Sequence, residues 1–482
     1  MYKIIKFFVI FCFFTSLNAY SYTVFDTPRD SFLDYVRKED EMTEEKQEAL
    51  DTQIQLNLQI ENIELDLVEC LEIALENNFN IKIANHKKES AKWDYNSKKA
   101  EFLPDVAGNF RFSQLRGTFL VGGVAPDLVK EYALFMSVLA EYKALNNNKI
   151  FYETKIKNLL KKSAISQNEF TKDEVILNTV LAYYELLGKK LSIDVLHTNL
   201  LDRKEQLRSM QARYEIGLGE KFDVLRAEAQ YQLAIKELVT ELNNLRFAQS
   251  NLARIMGLDV LAPVYPKDSK INQIKLYDGE YDIEKLYKQA LWARHDIRAK
   301  ELELKAQMVD RNSNWADFIP QLYLYYQYSD SGVISSGIRF GDILSAEMRV
   351  PVGKNLGVKT YANYKMANEN YQKSLLEFEK YKREIKQNIM KSVYNTTAAL
   401  EKIEAAEKEV AAAKLSLDMS LVRLDIGQAT FLDVLEAQAT KTQARQGLIY
   451  NIIEYNCAQV QLLFDAGIIT VGDIIEKYIE QD

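Results

Sequence analysis

Proline is scarce in this 482-residue chain, and its placement excludes an ordinary string of compact domains. The prolines are Pro28, Pro104, Pro126, Pro263, Pro266, Pro320 and Pro351, so none interrupts the tract from Pro126 to Pro263 and none follows Pro351. Proline breaks helix interiors, and tracts that avoid it for so long predict unusually long helices. Three cysteines exclude a disulfide-stapled scaffold. His86, His197 and His295 are too few and too scattered to form a metal or catalytic cluster, and a solvated surface position is expected for each. The net charge of −8 excludes a nucleic-acid binder that works by neutralising phosphates. There is no phosphate-cradling glycine loop, nucleophile elbow or HExxH motif, so neither enzymatic activity nor a cofactor is expected. What is present is 47% hydrophobic residues, too many for a disordered chain, which leaves a helical protein of elongated shape.

Residues 1–19 read as an address. Lys3 and Lys6 precede an apolar run from Phe7 to Phe14, and the small-residue end closes at Ala19. This order is that of a secretory signal peptide, with cleavage expected after Ala19. The run falls short of the roughly 18 apolar residues that a membrane anchor needs. No later stretch is apolar enough for a transmembrane helix. An exported protein of this kind is soluble, or it crosses an outer membrane as strands.

The rest of the chain repeats itself. At an offset of 216, Ala74 meets Ala290, Ile81 meets Ile297, Phe102 meets Phe318, Pro104 meets Pro320 and Ser113 meets Ser329. At an offset of 210, Ile216-Gly217 answers Ile426-Gly427, and Asp223-Val224-Leu225 answers Asp433-Val434-Leu435. Two matched blocks in the same order predict an internal duplication. The plan is a signal peptide (1–19), a charged N-terminal segment (20–65), a first repeat (66–256), a linker (257–281), a second repeat (282–464) and a C-terminal tail (465–482).

Each repeat reads as helix, strand pair (104–140 and 320–352), long helix, turn and helix. Asp66 with Glu69 forms a capping-box start to a helix expected to continue to residue 103. The period then switches to two. Val106, Gly108, Phe110 and Phe112 share one face, as do Leu322, Leu324, Tyr326 and Tyr328, and Leu344, Ala346, Met348 and Val350. Segments of about ten residues, apolar on one face and rich in tyrosine, suit transmembrane barrel strands. The same alternation also fits a small soluble sheet covered by helices. A helix over 144–216 would reach roughly 110 Å, about the combined length of helices over 66–103 and 222–256. A layer of such paired helices cannot bury both its sides alone, so self-assembly is expected.

These features resemble the TolC family of bacterial outer-membrane efflux proteins over residues 66–464. Two patterns carry the resemblance. One is the helix that leads into Phe102-Leu103-Pro104 and again into Phe318-Ile319-Pro320. The other is Gly, five residues, then Asp-Val-Leu, at Gly217 and Gly427. The resemblance implies a mainly α protein with a transmembrane β-barrel: a homotrimer in which long antiparallel helical hairpins form an α-barrel. Four strands per protomer would enter a shared twelve-stranded barrel. It further implies a passive exit duct embedded in outer-membrane lipid and extending into the periplasm, for efflux or type I protein secretion. Its partners would be a periplasmic adaptor (membrane fusion) protein and an inner-membrane transporter, with no nucleic acid.

By the same resemblance, the turns at Gly217, Gly219 and Gly427 form the periplasmic tip, where adaptor or pump would touch. The family's constricting acidic pair falls on Asp433 and Glu436, and trimeric carboxylate rings there would favour cations. The other reading of these two residues is an ordinary solvated helix start. Asp223, Arg226, Arg213 and Arg423 are the gating candidates. The chain departs from the family pattern at Leu424 and Ala429, where a tyrosine and an arginine are expected. Cys70 and Cys457 answer Leu286 and Phe247 in the repeat, which favours apolar packing and leaves a disulfide open. The competing functional reading is a secreted or periplasmic helical-rod scaffold or adhesin without a pore.

Overall fold

Why helices start and stop where they do is set by a few polar side chains. The computed structural model describes residues 63–118, 128–146, 149–217, 219–333, 337–350 and 355–479, so the expected signal peptide and most of the charged segment lie outside the described residues. After a short strand, β1 (Ile63–Leu65), Asp66 opens α1 (Leu67–Asn77). Its carboxylate accepts the Glu69 amide at 2.8 Å, and Glu69 accepts the Asp66 amide at 3.0 Å, the reciprocal capping box. The helix does not run on to residue 103 as expected. Asn78, at ψ 128°, breaks it, and α2 (Phe79–Ala100) restarts. The cause is local competition for amides: Asn78 Oδ1 accepts the Asn80 and Ile81 amides at 2.7 and 3.3 Å, while Nδ2 donates to the Ile255 carbonyl at 2.6 Å.

Strands β2 (Asp105–Thr118) and β3 (Leu128–Asn146) form a hairpin, the second strand running beyond the expected residue 140. A single helix, α3 (Lys149–Glu215, 67 residues), then extends for roughly 100 Å. It turns into α4 (Lys221–Met256). The linker contains β4 (Val264–Pro266), which pairs in parallel with β1. The second half follows the same order. Helices α5 (Ile283–Ala293) and α6 (His295–Ser313) are broken apart by Arg294 at ψ 125°, and a 3-10 turn leads to β5 (Gln321–Val333) and β6 (Gly337–Arg349). Then come α7 (Val358–Asp425, 68 residues), α8 (Phe431–Asp465) and α9 (Val471–Ile479). Among the described residues no helix is long and apolar enough to cross a membrane.

The four long strands make one antiparallel sheet in the order β2-β3-β5-β6. Its register brings the alternating apolar positions together. Val106 pairs Ala140, Ala140 pairs Tyr326, and Tyr326 pairs Leu344, so one row of one face is apolar across all four strands. The other face carries rows such as Asn109, Ser137, Ser329 and Gly341. Val106, Phe110, Phe112, Leu344 and Met348 are all exposed.

Helix α3 packs against α2 and α6 and also against α4 and α8, and α7 packs against α5, α6 and α8. On α3, Leu177, Val180, Tyr184, Leu187 and Leu191, spaced three and four residues apart, are all buried. The mid-region of α3 is buried almost all round because the linker and tail cover it. Tyr183 donates to Asp268 Oδ2 at 2.7 Å, Tyr478 of α9 donates to the same carboxylate, and Lys190 Nζ donates to the carbonyls of Pro266 and Asp268 at 2.8 and 3.0 Å.

Candidate functional site

The two helical turns carry the candidate residues. Both α3 and α7 end by passing through a left-handed glycine, Gly217 and Gly427, each at φ 75°. A Cβ at either would meet nothing within 4 Å, so the backbone conformation and not space demands glycine. The amides of Gly217 and Gly427 close on the carbonyls of Tyr214 and Leu424 at 2.9 and 3.0 Å. Gly219 lies against the backbone of Arg213 and Tyr214.

Beyond the turns the two repeats differ. On the second, Thr430 caps α8. Asp433 Oδ2 accepts the Thr430 amide at 2.7 Å and its hydroxyl at 2.8 Å, and the Asp433 amide donates to Thr430 Oγ1 at 3.3 Å. The Thr430 amide and hydroxyl, followed by the charge of Arg423, hold the Asp433 carboxyl below the usual range. Asp433 is therefore an ionised capping residue of α8. Glu436 lies one turn on, exposed like Asp433, while Val434 and Ala437 between and beside them are buried. On the first turn, Glu220 precedes α4 without a side-chain cap, and Asp223 is half-buried. The Arg226 guanidinium sits 4.7 Å from the centre of the Phe222 ring. Arg213 is half-buried and Arg423 exposed; the charge of Arg423 reaches Asp433, and Asp223 and Arg226 both lie on α4.

At the two departures from the family pattern the structure supplies other contacts. Leu424 packs on a cluster of Leu417, Val434 and Ala437 that closes the second turn. The amides of Gln428 and Ala429 both donate to the Arg423 carbonyl, at 2.8 and 3.2 Å.

Sequence reasoning missed a polar seam between α3 and α8. Gln438 donates to Asp202 at 2.6 Å, Thr442 to Asn199 at 3.2 Å, and Gln446 to Ser192 at 2.8 Å. The buried Arg203 reaches the Leu435 carbonyl at 3.4 Å. The signal was there: Gln438, Thr442 and Gln446 recur every fourth residue, a helical stripe of amides and hydroxyls. A groove of about 520 Å³ runs beside this seam, lined by Asn199, Arg203, Glu237, Glu241, Thr442 and Gln446. The groove holds no nucleophile set against a base and an orienting group.

The remaining candidates for chemistry are quiet. Cys70 and Cys457 are free thiols, each pushed up to about 12 by burial. His86 and His197 are exposed and His295 is half-buried. Among the described residues no three His, Cys, Asp or Glu side chains gather as a metal would need.

Comparison with known proteins places these features. The family model described as "Outer membrane efflux protein" matches residues 70–258 and 286–464, one span in each half. The chain is 25% identical to the outer membrane protein TolC of Escherichia coli over 319 residues, 62% of this chain and 63% of that protein. It is 22% identical to the alkaline protease secretion protein AprF of Pseudomonas aeruginosa, covering 85% of this chain and 86% of that one. The matched region spans less than two thirds of the Salmonella enteritidis and Escherichia coli TolC proteins, at 62% and 63% of their lengths. Among solved structures, the Campylobacter jejuni CmeC outer membrane channel superposes with a TM-score of 0.73 at 17% identity, over 85% of this chain and 88% of that one. The outer-membrane channel OprN also gives 0.73, at 19% identity over 83% and 89%. These likenesses establish a mainly helical fold of the outer-membrane channel type.

Proposed function

The chain belongs to the outer membrane efflux protein family, and from that premise we propose that it is a passive exit duct of the outer membrane that extends into the periplasm. The observation that carries this is the family match on both halves, which takes in the long helices and both turns. It leaves the pore-free rod without support. The strands favour the same reading: an antiparallel sheet, apolar on one face and more polar on the other, suits a barrel wall between lipid and water. Within the chain, β2 and β6 are edge strands. Three copies joined edge to edge would close twelve strands and remove every edge.

The same reading makes the chain a duplicated protein, with repeats at 66–256 and 282–464 bracketing the linker. Support comes from the matched helix lengths, 67 and 68 residues for α3 and α7, 36 and 35 for α4 and α8. The expected start with a signal peptide over 1–19 fits export to that membrane. As a duct it catalyses nothing; it would receive cargo from an inner-membrane transporter through a periplasmic adaptor. The relative named for alkaline protease secretion and those named for efflux keep both protein and small-molecule cargo within this class.

The turns at Gly217, Gly219 and Gly427 would form the periplasmic tip, with Asp433 and Glu436 facing the aperture. Both carboxylates are exposed on the side of α8 away from its buried stripe, as a ring around a threefold axis requires. Asp223, Arg226, Arg213 and Arg423 would tune the closed state, and Leu424 would replace a polar lock with an apolar one. The test is fractionation with cross-linking in intact cells. A three-copy species in the outer-membrane fraction, soluble only in detergent, is the expected result. A detergent-independent monomer in the periplasmic fraction would overturn the proposal.

A further inference from the structure

Each kinked helix pair abuts the C-terminal end of a mid-length helix, and the two joints have one design. Gly257 ends α4 and Gly467 ends α8, at φ 74° and 71°. A Cβ at Gly257 would come within 2.5 Å of the Asn77 carbonyl oxygen, and one at Gly467 within 2.9 Å of the Arg294 amide nitrogen. Across the first joint Asn78 Nδ2 donates to the Ile255 carbonyl at 2.6 Å; across the second Arg294 Nη1 donates to the Asp465 carbonyl at 3.0 Å. Asn78 and Arg294 are equivalent at offset 216, Ile255 and Asp465 at offset 210.

The chemistry of the two joints is different. The first is bridged by an uncharged amide, while the second buries a guanidinium with two carboxylates. Arg294 holds Asp296 by two bonds, Nε to Oδ1 at 3.1 Å and Nη2 to Oδ2 at 2.6 Å. Tyr381 of α7 also donates to Asp296. Asp465 is served less well by that guanidinium: its Oδ1 lies 3.7 Å from Arg294 Nη1, its other oxygen meets the Ser392 hydroxyl of α7, and the Gln461 side chain of α8 also hydrogen-bonds it. All three charged side chains are at most 6% exposed. Glu169, Lys172, Asp173 and Glu174 face this joint from α3, and His295 from α6. Lys300 of α6 lies over the Tyr381 ring. One buried guanidinium cannot compensate two buried carboxylates with further negative charge alongside. Asp296 has the bidentate geometry, which leaves Asp465 as the group that takes a proton.

We propose that the joint of α5, α6 and α8 is a proton-dependent clamp, in which Asp465 takes a proton from solvent as the pH falls and the joint tightens. The proton comes from water and returns to it. The neutral carboxyl keeps its contact with Ser392, where either oxygen can donate, and the second negative charge beside the single guanidinium disappears. The titration directions agree. Burial, aided by Asp296, raises the Asp465 carboxyl, and burial pushes Asp173 up to about 6. For Asp296, burial works upward but the bonds from Arg294 and Tyr381 outweigh it, leaving the group below its ordinary value. A carboxyl raised by folding contributes stability in full below its unfolded value, and that contribution is lost as pH rises through the folded one. Asp173 and Asp465 therefore favour mild acid, whereas the contribution of Asp296 is lost only as the pH falls below the ordinary carboxylate range.

The test is thermal unfolding of the detergent-solubilised full chain at about pH 5.5 and about pH 7.5, with infrared spectra of aspartate-labelled protein. In the unmodified chain the midpoint is expected to rise on acidification, and an aspartic-acid carbonyl band to grow. Asp465→Asn should shrink both the band and the rise, and adding Asp173→Asn should remove what remains of the band. A comparison variant, Asn78→Ser, should lower the midpoint equally at both pH values. An unchanged rise and band in Asp465→Asn would overturn the proposal. If that variant does not fold, the labelled spectrum of Asp173→Asn decides, since the absence of any aspartic-acid band change between the two pH values in that variant would also overturn the proposal.

Discussion

A single left-handed residue ends each of four helices, yet the four glycines are not equivalent. At Gly427 only φ is at stake, because a Cβ there meets open space. At Gly467 the same φ is combined with a Cβ that would lie 2.7 Å from Arg294 Cγ and 2.9 Å from its amide. Gly427→Ala is therefore expected to cost about 1 kcal/mol from strain alone, and Gly467→Ala about twice that or more, from strain plus displacement of the joint. Denaturant midpoints of the two variants check the order, and equal costs would show that the contact at Arg294 yields freely. The cysteines give a second prediction at this scale. With both thiols pushed up to about 12 by burial, neither forms much thiolate at neutral pH. Alkylation of Cys70 and Cys457 is expected to be slow in the folded protein and fast after denaturation. Cys70 is buried and Cys457 half-buried, and fast labelling of the native protein at about pH 8 would contradict the raised thiols.

At the scale of elements, the kinks matter most. Asn78 both caps α2 and binds the end of α4, so Asn78→Ala removes a cap and leaves the Ile255 carbonyl without its donor. The expected loss is about 2 kcal/mol. Asn78→Asp should keep the cap yet lose the donor and so fall between. Thermal or denaturant unfolding distinguishes the three, and an Ala variant as stable as the parent would remove the joint from the account. These breaks also mark how far the sequence could be read. Periodicity and proline placement made the long helices, the strand faces and the glycine turns legible, because each depends on contacts close in sequence. The kinks at Asn78 and Arg294 were not legible. An asparagine or arginine inside a helical run is ordinary, and what fixes these two is a carbonyl more than 170 residues away. The β1–β4 pairing was hidden for the same reason, since three-residue strands carry no period. At the turn, Asp433 was legible as an acidic helix start, whereas the apolar closure by Leu424 depends on Leu417 and Val434 from two helices.

At the scale of the whole molecule, the proposed duct is a pore with an acidic aperture. The sheet presents an apolar face to one side, α3 and α7 run roughly 100 Å from it, and the turns lie at the far ends of those helices. Three copies of Asp433 and Glu436 would place carboxylates around a narrow opening, where the field of fixed charges selects the sign of the passing ion. The most direct measurement is single-channel recording of the detergent-extracted protein in a planar bilayer, with the Asp433→Lys/Glu436→Lys double variant beside it. The account predicts steady cation-selective conductance for the parent and a weakened or reversed preference for the variant. An inserted parent protein that conducts with no cation preference, or a double variant whose preference is unchanged, would contradict it.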